Sequence, residues 1–220
     1  AGGMNSMQFG EIDMNMDGVK DLIAFDREGD RNMCFINRGI PNTIDYVYQP
    51  SYASLLPDLF DWAIFADYNA DGKTDIFTYS PGYASMMVYK NVSNETLEFK
   101  REVYPYLTSY QGGGYVNIYV TYADYPGISD IDNDGDLDIL TFWGLGSFVE
   151  MHKNMSMEKY GIPDSLDFEQ VTYCWGHFAE NDESNQLYLD TCLISSENYP
   201  ANRDDMRHTV STLLLIDLDA

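Results

Sequence analysis

The sequence is short of positive charge. Only 12 of its 220 residues are Lys or Arg, against 36 Asp or Glu, which leaves a formal net charge of −24. Nucleic acid and anionic membranes are therefore poor candidates as partners, because both are bound through basic surfaces. The same imbalance favours a cation as a ligand.

Long apolar runs are also missing. No stretch approaches the roughly 20 apolar residues of a membrane-spanning helix, so we expect no membrane insertion. The chain opens AGGMNSMQFG, without the basic start and apolar run of a signal peptide. If the protein is exported, we expect its signal to have been removed. The 45% hydrophobic content still supports a core, and 18 Tyr and 11 Phe favour strands.

Cysteine is scarce, with three residues. Cys34 lies in an apolar strand pattern and is predicted to be a buried thiol. Cys174 and Cys192 are 18 residues apart and suit a disulfide that closes a loop. The alternative is that all three are free thiols, since an odd count weakens the argument for a disulfide framework.

What the sequence does contain is a recurring acidic motif, D-x-[DN]-x-D-G-x-x-D. It occupies residues 13–21, 67–75 and 130–138, and a fourth copy begins near the end of the chain. Each complete copy is followed by an alternating apolar stretch and then by an Asn that stands 24 residues after the first Asp of the motif. These residues are Asn37, Asn91 and Asn154. Such a fixed register indicates an internal repeat.

The motif suits calcium, which takes roughly six to eight oxygen ligands. Side chains at positions 1, 3 and 5, the carbonyl at position 7 and the Asp at position 9 would supply them, and Gly at position 6 permits a sharp turn. Magnesium needs stricter geometry, and zinc would need His or Cys. We predict three complete Ca²⁺ sites and a truncated fourth: Asp13, Asn15, Asp17, Val19, Asp21; Asp67, Asn69, Asp71, Lys73, Asp75; Asp130, Asp132, Asp134, Asp136, Asp138; Asp217, Asp219.

An EF-hand is the sharp alternative, and it fails. Its loop needs a Glu at position 12 and a following helix, whereas position 12 is Ala24, Thr78 or Thr141 and a strand pattern follows. We therefore predict an all-β fold, with each loop joining the first two strands of a four-stranded β-propeller blade. The predicted organisation is 1–54, 55–115 and 116–205 as blades, 175–207 as an insertion in the third, and 206–220 as the first strand of a truncated fourth.

The loops and the [LI]-[IFL]-[AT]-[FY] stretches after them resemble the FG-GAP or VCBS repeats of calcium-binding β-propellers, the class that includes the integrin α-chain head. Phe9-Gly10 before the first loop is in keeping with this. Residues 174–178 (CWGHF) and Arg207-His208 further resemble Bacteroidetes proteins that the type IX secretion system exports to the cell surface or medium. The resemblance implies a partial ring of about three blades plus one strand, at the N-terminus of a longer chain, and a possible secretion-machinery partner.

The leading functional hypothesis is a calcium-stabilised, secreted or cell-surface binding or adhesion module, with a protein or glycan ligand and no assigned catalytic residue. The alternative is a calcium-propeller lyase or hydrolase that degrades polysaccharide, for which His152, His177 and His208 are the only histidines. A third hypothesis is protein recognition through exposed tyrosines in residues 104–106 and 110–115.

Overall fold

The structure, a computed structural model, describes residues 4–142, 147–181, 186–192 and 212–215. It is all-β, as predicted, and its sheets are predominantly antiparallel. The helices in this part of the chain are α1 (Ser156–Tyr160) and two 3₁₀ turns, Pro50–Leu55 and Trp175–His177, and none is long and apolar enough to cross a membrane.

The strands take up most of the regular structure. They are β1 (Met7–Ile12), β2 (Asp21–Asp26), β3 (Arg31–Asn37), β4 (Tyr46–Tyr48), β5 (Ala63–Ala66), β6 (Asp75–Ser80), β7 (Ser85–Asn91), β8 (Phe99–Arg101), β9 (Thr108–Tyr110), β10 (Tyr115–Asn117), β11 (Gly127–Ser129), β12 (Asp138–Phe142), β13 (Val149–Asn154), β14 (Phe168–Thr172), β15 (Phe178–Glu180) and β16 (Leu187–Leu189).

The chain divides into two compact units, 1–107 and 108–220. The first unit holds two four-stranded antiparallel sheets with the same order, β1-β2-β3-β4 and β5-β6-β7-β8. Sequential order follows from the short connections, because neighbouring strands joined by tight turns pair antiparallel. The acidic loops connect β1 to β2 and β5 to β6, where the sequence placed them.

The second strand of each sheet in the first unit is buried along most of its length, as in the DIFTYS segment of β6. β-Branched and aromatic residues fit such positions because they pack on both faces of a pleated strand. The core of this unit groups Ile23, Phe25 and Cys34 of the first sheet with Ile76 of the second. Cys34 is fully buried and is a free thiol, as predicted.

Gly10 allows the two sheets of the first unit to meet closely. It lies on β1, and a Cβ atom there would overlap the ring of Phe65 on β5. A larger residue would force these two strands apart. The Gly of the Phe9-Gly10 pair thus has a packing reason, while the side chain of Phe9 is 64% exposed.

The second unit contains a six-stranded sheet in the order β10-β9-β14-β13-β12-β11 and a separate hairpin of β15 and β16. All pairs in the large sheet are antiparallel except β14 with β9. The strands β9 and β10, which fall where the predicted second and third repeats meet, therefore add to the outer side of the third repeat's sheet.

The predicted insertion, 175–207, is described only in part. Its described residues form a 3₁₀ turn and the β15–β16 hairpin, and a disulfide joins Cys174 to Cys192. Of the predicted first strand of a fourth repeat, residues 212–215 are described. Thr212 bridges to Tyr125, and Leu213 and Leu215 pack against Leu140, Val149 and Met151.

Candidate metal centre

The three acidic loops are loop 1 (13–21), loop 2 (67–75) and loop 3 (130–138), and their residues are numbered here as positions 1 to 9. Each joins two antiparallel strands. Positions 4 and 6 have a left-handed backbone in every copy. At position 6, φ is 83° for Gly18, 84° for Gly72 and 104° for Gly135. Glycine adopts this region without the steric cost of a Cβ atom, which accounts for its presence in all three loops.

The Asp at position 1 holds the turn together. Both of its carboxylate oxygens accept backbone hydrogen bonds, one from the N–H of position 5 and the other from the N–H of position 6. The oxygen–nitrogen distances are 3.1 and 2.9 Å for Asp13, 3.2 and 2.7 Å for Asp67, and 3.1 and 3.1 Å for Asp130. The motif is therefore a single recurring backbone conformation.

The Asp at position 5 also accepts a backbone hydrogen bond from within its own loop. Its carboxylate accepts the N–H of position 7, at 2.8 Å in loop 1, 2.9 Å in loop 2 and 3.2 Å in loop 3. In loops 1 and 2 the amide of the position 3 Asn also donates to this carboxylate, from Asn15 to Asp17 and from Asn69 to Asp71. The amide thus neutralises part of the local negative charge.

The Asp at position 9 ties each loop to the third strand of its sheet. One of its oxygens accepts the N–H of position 2, and the other accepts the N–H of the fixed Asn. For Asp75 these distances are 3.1 Å to Tyr68 N and 2.7 Å to Asn91 N. Asp21 and Asp138 make the equivalent pairs of bonds, and all three carboxylates are in fully buried residues.

Burial makes these position 9 carboxylates unusual acids. Desolvation, which outweighs the two backbone hydrogen bonds, raises the pKa of Asp75 to about 6, and the anions of Asp71 and Asp67 add to the effect. The pKa of Asp138 is likewise raised to about 6, and that of Asp21 is raised in the same direction. A nearby cation would oppose this shift by favouring the ionised forms.

Loop 3 has more carboxylates than the other two loops, and a lysine side chain contacts them. Its position 3 is Asp132 instead of Asn, and Glu158 of α1 lies beside it. The ammonium of Lys153 contacts the carboxylates of Asp132 and Glu158, and that of Asp134 at 3.1 Å. Hydrogen bonds to Asp132 and Glu158 raise the pKa of Lys153, so it stays protonated.

Asp136, at position 7 of loop 3, also has a buried side chain. Its Oδ2 atom accepts the N–H of Met157 at 2.9 Å, and its Oδ1 atom has no hydrogen-bond partner in the part of the chain that the structure describes. Burial and the neighbouring Asp134 and Asp138 raise the pKa of Asp136 to about 7. The prediction for position 7 used only the backbone carbonyl and missed this carboxylate.

Loop 3 brings two groups of carboxylates together. Asp130, Asp132 and Asp138, at positions 1, 3 and 9, each offer an oxygen within 4.8 Å of the others. Asp132, Asp134 and Glu158 form the second group, which Lys153 already contacts. Lys153 contacts all three members of the second group but only Asp132 of the first, so the first group is the better candidate for a metal ion. Among the described residues, which include all of loops 1 and 2, no other three carboxylates converge this closely.

Some of the remaining predicted ligands and histidines lie outside the described residues, and the others lie within them. Asp217 and Asp219 lie outside the described residues, as does His208. His152 is fully buried, with its Nε2 atom 3.6 Å from a carboxylate oxygen of Glu150. His177 lies beside the disulfide, with its Nδ1 atom 3.8 Å from Cys192 Sγ.

Lys153 and Glu158 are the site residues that sequence reasoning missed. Lys153 directly precedes the fixed Asn154, and it lies on β13, next to the strand that follows loop 3. A charge count held the signal: loop 3 has five Asp, whereas loops 1 and 2 have three each. An excess of carboxylates in one of the three loops predicts a cationic group nearby, because the like charges otherwise repel.

Comparison of the chain with protein-family models, with curated proteins and with solved structures finds no match. The function is therefore inferred from the fold and the loops themselves.

Proposed function

We propose that this chain is a calcium-stabilised binding or adhesion module, secreted or displayed at the cell surface, and built from FG-GAP or VCBS-type blades of a β-propeller. The two four-stranded sheets of the first unit support the blade assignment, because each carries its acidic loop between its first and second strands. The metal has a structural role in this proposal, since the loop residues would surround it.

The observation that carries the proposal is the hydrogen-bond scaffold that the three loops share. It fixes the carboxylates at positions 1, 5 and 9 through the same backbone hydrogen bonds in all three loops, and in loop 3 three carboxylates converge. Position 9 already accepts two N–H groups, but a carboxylate has about four acceptor sites and keeps capacity for a metal. Oxygen-rich sites of this kind fit a hard cation such as calcium.

Electrostatics support the same conclusion. Buried carboxylates whose pKa values reach about 6 and about 7 are disfavoured as anions by desolvation and by one another. A bound divalent cation would supply the missing positive charge and stabilise the folded state by mass action. We expect folding and calcium binding to be coupled in both units.

The test is thermal unfolding of the full chain in excess calcium, in EGTA, and in magnesium. At a hundredfold excess over Kd, one site contributes about 2.7 kcal/mol, which corresponds to roughly 10 °C for a unit of this size. The matched control combines Asp13→Asn, Asp67→Asn and Asp130→Asn, which removes position 1 charge from every loop and should abolish the shift. An equal response to magnesium, or no response to calcium, would contradict the proposal.

Export is the second part of the proposal. The resemblance to type IX cargo and the Cys174–Cys192 disulfide support it, because disulfides persist mainly in oxidising compartments. Immunodetection in fractions of the source cells should place the protein in the medium or on the surface. Detection confined to the cytosol would overturn this part and leave the calcium sites unaffected.

A further inference from the structure

The first unit has a pocket at the end of β6 opposite loop 2, with a volume of about 320 Å³. That volume falls at the lower end of the roughly 300–1,000 Å³ typical of small-molecule sites. Six of its ten lining residues are aromatic or charged, namely Asp58, Phe60, Tyr83, Tyr89, Arg101 and Tyr104. All of them belong to the first unit, and the calcium loops contribute none of them.

Tyr104 presents an aromatic face at the pocket. Its residue is 83% exposed, yet the guanidinium of Arg101 lies 4.7 Å from its ring centroid in a cation–π contact. Arg101 is itself held, because Nε donates to Val103 O at 3.0 Å and Nη2 donates to Pro105 O at 2.6 Å. The exposed ring is therefore supported from one side, which leaves a pre-positioned surface for a ligand.

A second tyrosine, Tyr83, lines the same pocket and packs against Tyr106. The rings of Tyr83 and Tyr106 are 5.0 Å apart with a tilt of 48°, and Tyr83 is 48% exposed. Tyrosine combines a rigid apolar face with a polar hydroxyl, so it favours ligands that have both apolar and hydroxylated surfaces. The pocket is thus lined by two partly exposed tyrosine rings, Tyr83 and Tyr104.

Charged groups of opposite sign complete the lining. Asp58 is exposed, and within the described residues neither a hydrogen bond nor an ion pair joins its carboxylate to Arg101. Both charges still act on Tyr89, whose pKa is raised chiefly by burial, lowered by Arg101 and raised by Asp58. The pocket thus offers ligand hydroxyls both an acceptor and a donor.

We propose that this pocket binds a neutral pyranose oligosaccharide, an inference that rests on the binding module of the proposed function and names its ligand class. The C–H face of a pyranose ring stacks on tyrosine, and its vicinal hydroxyls donate to a carboxylate and accept from a guanidinium. A net charge of −24 opposes polyanionic glycans, which makes uncharged sugars the better fit.

The experiment is isothermal titration calorimetry of the full chain in calcium with cellopentaose, xylopentaose and mannopentaose, each tested separately. Saturable binding of at least one is expected, together with no binding of pentagalacturonate. Tyr104→Ala should weaken the binding by at least about tenfold, because it removes the stacking face. Asp58→Asn should weaken it by a smaller factor. The matched control is Tyr173→Ala, an exposed tyrosine outside the pocket, which should bind as the parent does.

Four results would overturn the inference: no binding of any of the three sugars at millimolar concentration, saturable binding of pentagalacturonate, undiminished sugar binding by Tyr104→Ala, or, in a parallel titration, binding of a polyproline decamer at this pocket in place of the sugars. Melting curves in calcium and EGTA are recorded on the same samples. A preserved calcium shift without sugar binding refutes the pocket alone, whereas loss of the calcium shift refutes the proposed metal role independently.

Discussion

Loop 2 and loop 3 share one backbone conformation but carry different charge. Loop 2 has three carboxylates and an Asn at position 3, whose amide donates to Asp71 at 3.2 Å. Loop 3 has five carboxylates, and Glu158 adds a sixth nearby. The lysine of loop 2, Lys73, donates to the carbonyl of Ser93, whereas Lys153 contacts three carboxylates beside loop 3.

The comparison of loops 2 and 3 shows that some positions of the motif set the backbone conformation and others set the charge. Positions 1, 6 and 9 set the backbone, because their hydrogen bonds and dihedral angles are the same in both loops. Positions 3 and 7 vary in charge, and the surroundings adjust to them. The scaffold and the charge of a loop can therefore be changed separately by mutation.

The largest effect is expected from the scaffold. Asp75→Ala and Asp138→Ala each leave two buried N–H groups without an acceptor, and each lost partner costs about 1–3 kcal/mol. We expect losses of about 2–5 kcal/mol, of similar size for both variants, by urea unfolding in EGTA. Asp71→Ala, at an exposed position, is the control and should cost less than about 1 kcal/mol.

For the first unit, the thiol of Cys34 gives a local readout. Burial raises the pKa of Cys34 to about 11, so it should react with a disulfide reagent only when the unit opens. Labelling should be faster in Asp75→Ala than in Asp138→Ala. Equal labelling of the two would mean that the units do not open independently.

Replacing the lysine near each loop should lower the free energy of unfolding by different amounts for loop 3 and loop 2. Lys153→Met leaves three carboxylates without their cation, and we expect a loss of about 2–3 kcal/mol in EGTA. Lys73→Met should cost less than about 1 kcal/mol, because Lys73 donates to a carbonyl and not to the loop carboxylates. Urea unfolding measures both, and calcium should reduce only the Lys153→Met penalty. Equal penalties would show that loop 3 does not depend on its lysine.

The pH dependence in EGTA should be of similar or smaller size. The pKa values of Asp75, Asp136 and Asp138 are about 6, 7 and 6 in the fold against 3.8 in the unfolded chain, so the folded state binds protons more tightly. The stability from this source is fully present below about pH 4 and is lost as pH rises through 6 to 7. Between pH 6 and pH 7 we expect a fall of the order of 1–3 kcal/mol.

The second unit should show the larger fall with pH, since it holds two of these three carboxylates. Melting curves between pH 5 and pH 8 measure it, and excess calcium should remove most of it by favouring the ionised forms. A rise in stability with pH in EGTA would contradict the assigned direction of these shifts.

The smallest effects are expected from exchanging position 3. Asn69→Asp adds a carboxylate to loop 2 and removes the amide bond to Asp71, so we expect a loss of about 0.5–1 kcal/mol in EGTA. Its calcium affinity should rise several-fold, because calcium sites tighten with ligand charge. The reverse change, Asp132→Asn, should weaken calcium binding in loop 3. Calorimetric titration of both variants with calcium measures whether the residue at position 3 determines the calcium affinity of its loop.

The parts predictable from the sequence were those fixed locally. The D-x-[DN]-x-D-G pattern places the loops, and the alternation after them places β2, β6 and β12, because both depend on near neighbours. The constant spacing of the fixed Asn could be seen in the sequence, but the structural reason for that spacing could not. The N–H group of this Asn meets the position 9 Asp only after two strands have paired.

Long-range contacts account for most of what was missed. The parallel pairing of β9 with β14 joins residues about sixty positions apart, which no local pattern indicates. Lys153 and Glu158 approach loop 3 only when β13 and α1 are in place. The convergence of Asp130, Asp132 and Asp138 was predictable from spacing, but which cation balances the rest of loop 3 was not.

The bond from the position 9 Asp to the fixed Asn also limits how the gene for such a protein can change in length. An insertion within either strand between the loop and this Asn would carry the N–H group of the Asn away from its acceptor and leave both polar groups without a partner. The loops begin 54 residues apart (67 − 13) and then 63 apart (130 − 67), and the difference of nine residues lies after the Asn. Across the three loops, the segment from the first Asp to the fixed Asn therefore keeps one length, and the length of the segment after the Asn differs.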